Sequence, residues 1–579
     1  MPVPLQLLVY GADIADWQVK VDYPGVRLVR TTRVVNTNYL FLDLAIADSA
    51  QPGTFDLVFS QGRQTITQPY TLQARVADTQ RVRGLNGRDV MYLLYPDRFA
   101  NGDPTNDRLP EMLDQTLDRA AWSARHGGDL QGILDHLDYF DSLGVTALWL
   151  NPIFTNNEPR DSYHGYAATD LYAVDPRLGP NVLYQELGDQ LQQRDMALVM
   201  DLVHNHVGSQ HWMALDPPTT DWFHEWPSYT HSNFKAPSLH DPYAAPQDQQ
   251  LFTEGWFAPS MPDLNQDQPL LQQYLIQQAI WWVEYAGIDA FRLDTYAFSD
   301  TDFLAAWTAA LKAVYPDLFL FGETFVFNKA TQVYNHGQTN VQKDFDSHLD
   351  GVTDFQWHFA VPTALQEPFG WTTGWSRLYN LLTQDYLLQE PVNNILFLDN
   401  HDTDRIASQL QAQGPRLRQA VVLLLTMRGI PCIYYGMEWN FKGTTDPDGK
   451  VRTDFPGGWP GDTLNYFDPA HWPVADTSLF NIIRQLNDFR QQHPWLGTGE
   501  MQQFIPEDGI YAYFRYAEAG GVMVLLSSQD GPTSVATERF HDRLQPYTQA
   551  TDVLTKAPLD GWSTISLPAH GVRVIHFAP

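Results

Sequence analysis

Two hydrophobic rhythms run along the chain. Over residues 1–85 apolar and polar positions alternate in short runs, "LQLLVYG", "NYLFLDLAI" and "FDLVFS", parted by "SAQPGT" and "SQGRQ". Alternation with period two, broken by turn-forming residues, predicts an N-terminal β-sandwich. The same rhythm returns over 496–579 in "GIYAYFRY", "GVMVLLSS" and "GVRVIHFA", which predicts a second, C-terminal β-sandwich.

Between them, over 86–495, apolar strand-like runs alternate with helical patterns. The strand candidates are "VMYLLY" (90–95), "VTALWLNP" (145–152), "ALVMDLVHN" (197–205), "IDAFRLDT" (288–295), "LFLFGET" (318–324), "DFQWHFAV" (354–361), "NILFLDNHD" (394–402) and "IPCIYYGME" (430–438). Segments such as "LQGILDHLDYFDSLG" and "LQQYLIQQAIWWVEYAG" carry the helical period between them. Eight strands with crossover helices predict an α/β fold, a (β/α)8 TIM barrel. A doubly wound open sheet is the rival, but no Gly-rich dinucleotide turn follows an early strand. The stretch 205–268 after the third strand is too long for a loop and rich in Pro, Trp, His and Asp, which predicts a small inserted subdomain over the barrel mouth.

The predicted strands end alike. The third runs out in "DLVHNH" with Asp201, Asn205 and His206, the fourth in Arg292 and Asp294, the fifth in Glu323, the seventh in Asn400, His401 and Asp402. A helix cap explains one polar tip. Four such tips on the rim where barrels carry their chemistry point to a site. For "IDAFRLDT" alone the competing reading is a structural ion pair. Converging carboxylates suit glycoside hydrolysis, in which one carboxylate is ionised and another holds the proton for the leaving oxygen. Arg292, one pleat from Asp294, holds that aspartate ionised in this reading, and the apolar setting of Glu323 raises its pKa toward an acid's range. His206 and His401 are candidate donors to sugar hydroxyls, against the reading of each as a structural histidine.

Composition narrows the partners. The chain has 579 residues and a formal net charge of -32, a surface that repels phosphate backbones and anionic lipids, so neither nucleic acid nor membrane is an expected partner. Eighteen Trp and 27 Tyr suit stacking on sugars, although aromatics also fill cores. The single cysteine, Cys432 in "GIPCIYYG", reads as a buried spectator thiol. No apolar run reaches the length of a membrane helix, no zinc spacing or H-E-x-x-H occurs, and no Walker loop is present. The opening "MPVPLQLLVYGADI" does not look like a signal peptide, and a cytoplasmic or periplasmic location is expected.

The motifs "DLVHNH" (201–206), "FRLD" (291–294), "GE" (322–323) and "NHD" (400–402), in this order, resemble those of the α-amylase family of retaining glycoside hydrolases. "HGY" (164–166) and "MPDLN" (261–265) are similar to two further family motifs. The flanking β domains and "RTDFPGGWPGD" (452–462) most resemble the cyclomaltodextrinase and neopullulanase-type branch. The resemblance implies Asp294 as nucleophile, Glu323 as general acid/base and Asp402 as transition-state stabiliser, with Arg292, His206 and His401 around the reactive sugar and Tyr166 stacked beneath it. Retention implies carboxyls of Asp294 and Glu323 about 5–5.5 Å apart. Asp448 (or Asp446) and Arg452 are implied to hold the next sugar on the non-reducing side. Phe325 departs from the Trp that many relatives carry two residues past the acid/base, which bears on acceptor preference.

The loop "FANGDPTND" (99–107) reads as a solvated turn or, by its density of hard oxygens, as a calcium loop. The resemblance implies structural calcium held by Asn101, Asp103, Asn106 and Asp107 with Gly127 and Asp129. The expected activity is hydrolysis of α-1,4-glucosidic bonds in cyclodextrins, maltooligosaccharides, pullulan or starch. The alternatives are a glucanotransferase on the same fold and a non-catalytic carbohydrate-binding relative. The N-terminal sandwich is a candidate glycan-binding surface or homodimer contact.

Overall fold

A computed structural model describes residues 5–75, 81–472, 477–545, 547–559 and 561–578. The first four residues of the N-terminal stretch considered above lie outside these. At the centre is an eight-stranded parallel sheet: β1 (Met91–Leu94), β2 (Ala147–Leu150), β3 (Ala197–Leu202), β4 (Ala290–Leu293), β5 (Phe319–Gly322), β6 (Gly351–Val352), β7 (Ile395–Phe397) and β8 (Ile430–Tyr434). Neighbours pair in the order β6-β5-β4-β3-β2-β1-β8-β7. A parallel bridge from Thr353 to Ile395 joins the two ends, so the sheet closes into the predicted barrel. Nearly every strand residue is buried, as parallel strands covered on both faces must be.

The helices pack outside the strands with Trp282, Trp307 and Trp357 fully buried. The helix Pro269–Ala286 shows how sequence sets its ends. Proline occupies the first turn, the Gln268 side chain accepts the Leu270 N–H, and Gly287 stops the helix at a φ of 69°.

One predicted strand is wrong. "DFQWHFAV" (354–361) forms the helix Phe355–Gln366, and β6 is the dipeptide Gly351–Val352 before it. Aromatics at 355, 357 and 359 imitate strand alternation. The less buried positions, Gln356, Phe359, Thr363 and Gln366, instead mark one side of a helix. The deciding local signal is Asp354, whose side chain accepts the Trp357 N–H as an N-cap.

Two three-stranded antiparallel sheets, with Leu5–Tyr10, Val26–Arg33 and Tyr39–Ile46 in one and Gln18–Val21, Gly53–Gln61 and Gln64–Leu72 in the other, form the N-terminal domain around a core that includes Trp17, Leu42, Leu57 and Phe59. A five-stranded and a two-stranded sheet form the C-terminal one. The inserted segment after β3 returns to the barrel through antiparallel bridges from His206 to Asp263 and from Phe223 to Leu264. Among the described residues no helix is long and apolar enough to cross a membrane.

Candidate active site

The register of β3, β4 and β5 builds the centre of the site. Asp201 lies opposite Arg292, and Arg292 opposite Phe321, so the residues just beyond each strand share one rim. Asp294 donates its N–H to Leu202, and Glu323 donates its own to Leu293, which extends both ladders to the two carboxyl-bearing residues.

Arg292 is buried and holds three carboxylates. Its Nη1 lies 2.7 Å from Asp201 Oδ1 and 2.7 Å from Asp294 Oδ1, while Nη2 lies 2.9 Å from Glu323 Oε2. Asp294 and Glu323 are thus paired with the two terminal nitrogens of one planar guanidinium. Trp149 and Tyr166 pack over the guanidinium at 5.6 and 5.7 Å. Asp201 Oδ2 accepts from Trp149 Nε1 and from the Tyr166 hydroxyl, each at 3.1 Å. Asp201 therefore aims Arg292 from behind the cavity wall, a positioning role that "DLVHNH" carried unassigned.

Thr295 was not singled out from the sequence. It has a left-handed φ of 42°, unusual for a β-branched residue. That turn points its N–H at Glu323 Oε2, 2.9 Å away, while its hydroxyl reaches Asp294 Oδ2 at 3.2 Å. Backbone strain at this position thus orients both carboxyls.

Burial pushes the carboxyls of Asp201, Asp294 and Glu323 up, and Arg292 pulls each back. Three carboxyls share one cation in a desolvated pocket, a setting that favours the neutral form of each over its ordinary balance. Glu323 Oε2 accepts from the Thr295 N–H and is ion-paired with Arg292 Nη2, so Oε1 is the oxygen free of these two contacts.

Asp402 lies opposite. It takes Arg452 Nη2 at 3.0 Å and His401 Nε2 at 3.0 Å. These cationic and imidazole partners hold it well below the usual carboxylate range despite desolvation, so it stays ionised. His401 stacks beneath Tyr166 with rings 5.5 Å apart, and its Nε2 also meets the Tyr166 hydroxyl at 2.7 Å. Burial lowers His206 to about 4, so its ring is neutral. Among the described residues its buried Nε2 has no hydrogen-bond partner, and the residue lines the cavity described next.

A cavity of about 440 Å³ gathers these groups. Its wall includes Tyr166, His206, Asp294, Glu323, Asp402, Asp448 and Arg452. Arg292 and His401 stand one layer behind, each bonded to wall residues. Of the two competing aspartates, Asp448 lines the cavity. His164, which the sequence offered only within "HGY", and four phenylalanines that it did not mark, Phe234, Phe257, Phe298 and Phe327, complete the wall beside Phe325. Aromatic residues scattered over separate segments read as core when no fold places them together.

The residues implied to hold calcium gather in one cluster of loops. The Asp129 side chain accepts the N–H groups of Gly102, Asp103 and Gly132 and caps the helix Leu130–Leu134. Asn101 Nδ2 lies 2.9 Å from Asp107 Oδ1, and a side chain at Gly127 would collide with that carboxylate. Among the described residues the buried amide oxygens of Asn101 and Asn106 have no hydrogen-bond partner, as oxygen ligands of a hard cation would not. Asp103 turns instead to Thr105, accepting from its N–H and hydroxyl. Among the described residues no three His, Cys, Asp or Glu side chains gather to hold a metal, so a cation here would depend on amide and backbone oxygens as well as carboxylates.

Residues 93–456 match the family model of the α-amylase catalytic domain. Residues 1–76 match that of the cyclomaltodextrinase N-terminal domain, and 501–576 that of its C-terminal domain. The chain is similar to neopullulanase 2 of Thermoactinomyces vulgaris, 31% identical over 459 residues that cover 76% of this chain and 69% of that protein. It is 27% identical to the β/α-amylase of Paenibacillus polymyxa over 84% of this chain, a match that spans only 38% of that longer protein. Among solved structures, an Anoxybacillus α-amylase superposes with a TM-score of 0.69 at 28% identity, covering 85% of this chain and 98% of the other.

Proposed function

Because the chain belongs to the α-amylase family of glycoside hydrolases, we propose that it hydrolyses α-1,4-glucosidic bonds of short or cyclic maltooligosaccharides, pullulan or starch with retention of configuration. The observation that carries this reading is one cavity walled by Asp294, Glu323 and Asp402. Asp294, aimed by Arg292, attacks the anomeric carbon. Glu323 gives its Oε1 proton to the departing oxygen and then takes one from the water that releases the sugar. Asp402, ionised, accepts from sugar hydroxyls, and His206 bonds to them through Nε2. Asp448 and Arg452 border the donor side. Relatives named neopullulanase and cyclomaltodextrinase support this substrate class. Product analysis on β-cyclodextrin, pullulan, panose and soluble starch tests it. Release of short α-glucans is expected, and an enzyme inert on all four refutes the reading.

The pH profile of kcat/KM on maltotriose is expected to be bell-shaped. Activity falls at low pH as Asp294 gains a proton, and at high pH as Glu323 loses one. Burial raises the Glu323 pKa, so the proton survives to higher pH and the alkaline limb lies above the ordinary glutamate range. A limb within the ordinary range would contradict that assignment of the acid.

We further place calcium at the 101–129 cluster, held by the Asn101 and Asn106 amide oxygens and the Asp107 carboxylate, with the Gly127 carbonyl and Asp129 beside them. Bound there it ties the loop after β1 to the start of the next helix. EDTA is expected to lower the Tm by several degrees and added calcium to restore it. Asp107→Ala removes that response; a Tm indifferent to both reagents in the wild type excludes the site.

A further inference from the structure

A second cavity lies between the barrel and the C-terminal domain. At about 720 Å³ it is larger than the catalytic one, and the two share no wall residue. Four segments meet around it. The helix Gly414–Thr426 gives Arg418, and the segment after β8 gives Asn440 and Lys442. The helix Thr477–Gln492 gives Ser478, and the turn between strands Thr564–Leu567 and Val572–Ala578 gives His570. Cavities of this size at a domain boundary are where small ligands are held.

The charge of this cavity is opposite to that of the chain. Asp and Glu outnumber Lys and Arg by 68 to 36 in the sequence, yet no carboxyl stands on the described wall. Arg418 and Lys442 are exposed on it, and among the described residues neither has an ion-pair or hydrogen-bond partner. Two cations without a counter-ion keep their full field for what enters the cavity. The start of the helix Gly414–Thr426 adds to that field. Its first turn has no acidic residue and no side-chain cap, and Gly414 is itself part of the wall. His570 is tied to Asp530 at 3.1 Å and contributes a ring edge, not a free charge. The buried part of the wall is apolar, with Leu417, Trp439, Leu479 and Val572. Asn440 and Ser478 are its uncharged polar side chains.

We infer that this second cavity binds a small phosphorylated sugar. A phosphate group suits the cations, since a guanidinium fork takes two of its oxygens and an ammonium another. The cavity is far larger than a phosphate ion, so the ligand carries a body as well. A sugar ring fits the rest of the wall: its C–H face lies on the apolar side chains, and its hydroxyls bond to Asn440 and Ser478. The hydrolysis proposed above releases neutral sugars, and the phosphoryl transfer that consumes such sugars makes a ligand of this class. Only the choice of a sugar as the body rests on that hydrolase reading; the cations and the cavity do not.

Calorimetric titration and thermal unfolding of the full chain with glucose 6-phosphate form the test. Inorganic phosphate and glucose serve as comparison ligands, and maltotriose turnover is measured on the same preparation. Glucose 6-phosphate is expected to bind at one site and raise the Tm. Inorganic phosphate and glucose should each bind about tenfold or more weakly, since each offers half of the contacts. Saturating maltose should leave the titration unchanged, because the two cavities are separate. The double variant Arg418→Ser, Lys442→Ser changes exposed positions outside the catalytic cavity. It should weaken glucose 6-phosphate about tenfold or more and keep wild-type turnover. The inference is overturned by no binding in either measurement, by equal affinity in the double variant, by competition from maltose, or by glucose or inorganic phosphate binding as tightly. A wild type that binds the phosphate ester and leaves maltotriose intact sinks the hydrolase reading alone.

Discussion

Asp294→Asn is expected to fold as the wild type does and to lose on the order of 10⁴-fold or more in kcat on maltotriose. Asparagine keeps the size of the side chain and an oxygen for Arg292 Nη1, now 2.7 Å from the carboxylate. What it lacks is an anionic oxygen that can bond to the anomeric carbon. The variant also relieves a crowded pocket. Three carboxyls share one guanidinium, and burial pushes Asp294 up, so the ionised form is held at a cost in stability. The Tm should therefore be unchanged or higher, the pattern of a site that trades stability for chemistry. Removing this neighbouring charge also relieves the repulsion that helps keep the proton on Glu323. Kinetics and thermal unfolding on one preparation check both parts. Near-normal turnover would end the assignment of the nucleophile, and a large fall in Tm would turn Asp294 into a structural partner of Arg292.

The residues that carry this prediction were legible in the sequence for a specific reason. Strands buried on both faces tolerate charge only where they emerge, so Arg292, Asp294, Glu323 and Asp402 stood out against apolar runs. The barrel was legible from the same runs, except at β6. There two residues, Gly351–Val352, make the strand, too few to show a period, while the aromatic helix behind them mimicked one. Thr295 left no signal, because a left-handed backbone at a β-branched residue is imposed by the folded surroundings and not by local preference. Asp201 was visible as a strand-end carboxylate, but its partner was not: the β3–β4 register, which sets it opposite Arg292, is a long-range fact. The phenylalanine wall was hidden for the same reason, since Phe234, Phe298 and Phe327 come from three separate segments that line one cavity only in the folded chain.

Glu323→Gln is expected to behave differently from the nucleophile variant, and the difference identifies its role. Glutamine retains an oxygen to accept from Thr295 N–H, at 2.9 Å in the wild type, but has no proton to give up. With maltotriose, whose leaving alkoxide must be protonated, the loss should be roughly 10²–10⁴-fold. With α-maltosyl fluoride the first step needs little acid assistance, because fluoride departs as a weak base, so formation of the covalent intermediate should be far less impaired. The second step still lacks its base, and the intermediate should accumulate. Azide, a nucleophile that needs no deprotonation, should then restore turnover and yield α-maltosyl azide. The alkaline limb of the pH profile should vanish, since the group whose proton loss causes it is gone. Were the fluoride as poorly processed as maltotriose, with no azide product, Glu323 would be orienting Arg292 through its bond to Nη2 instead of moving a proton.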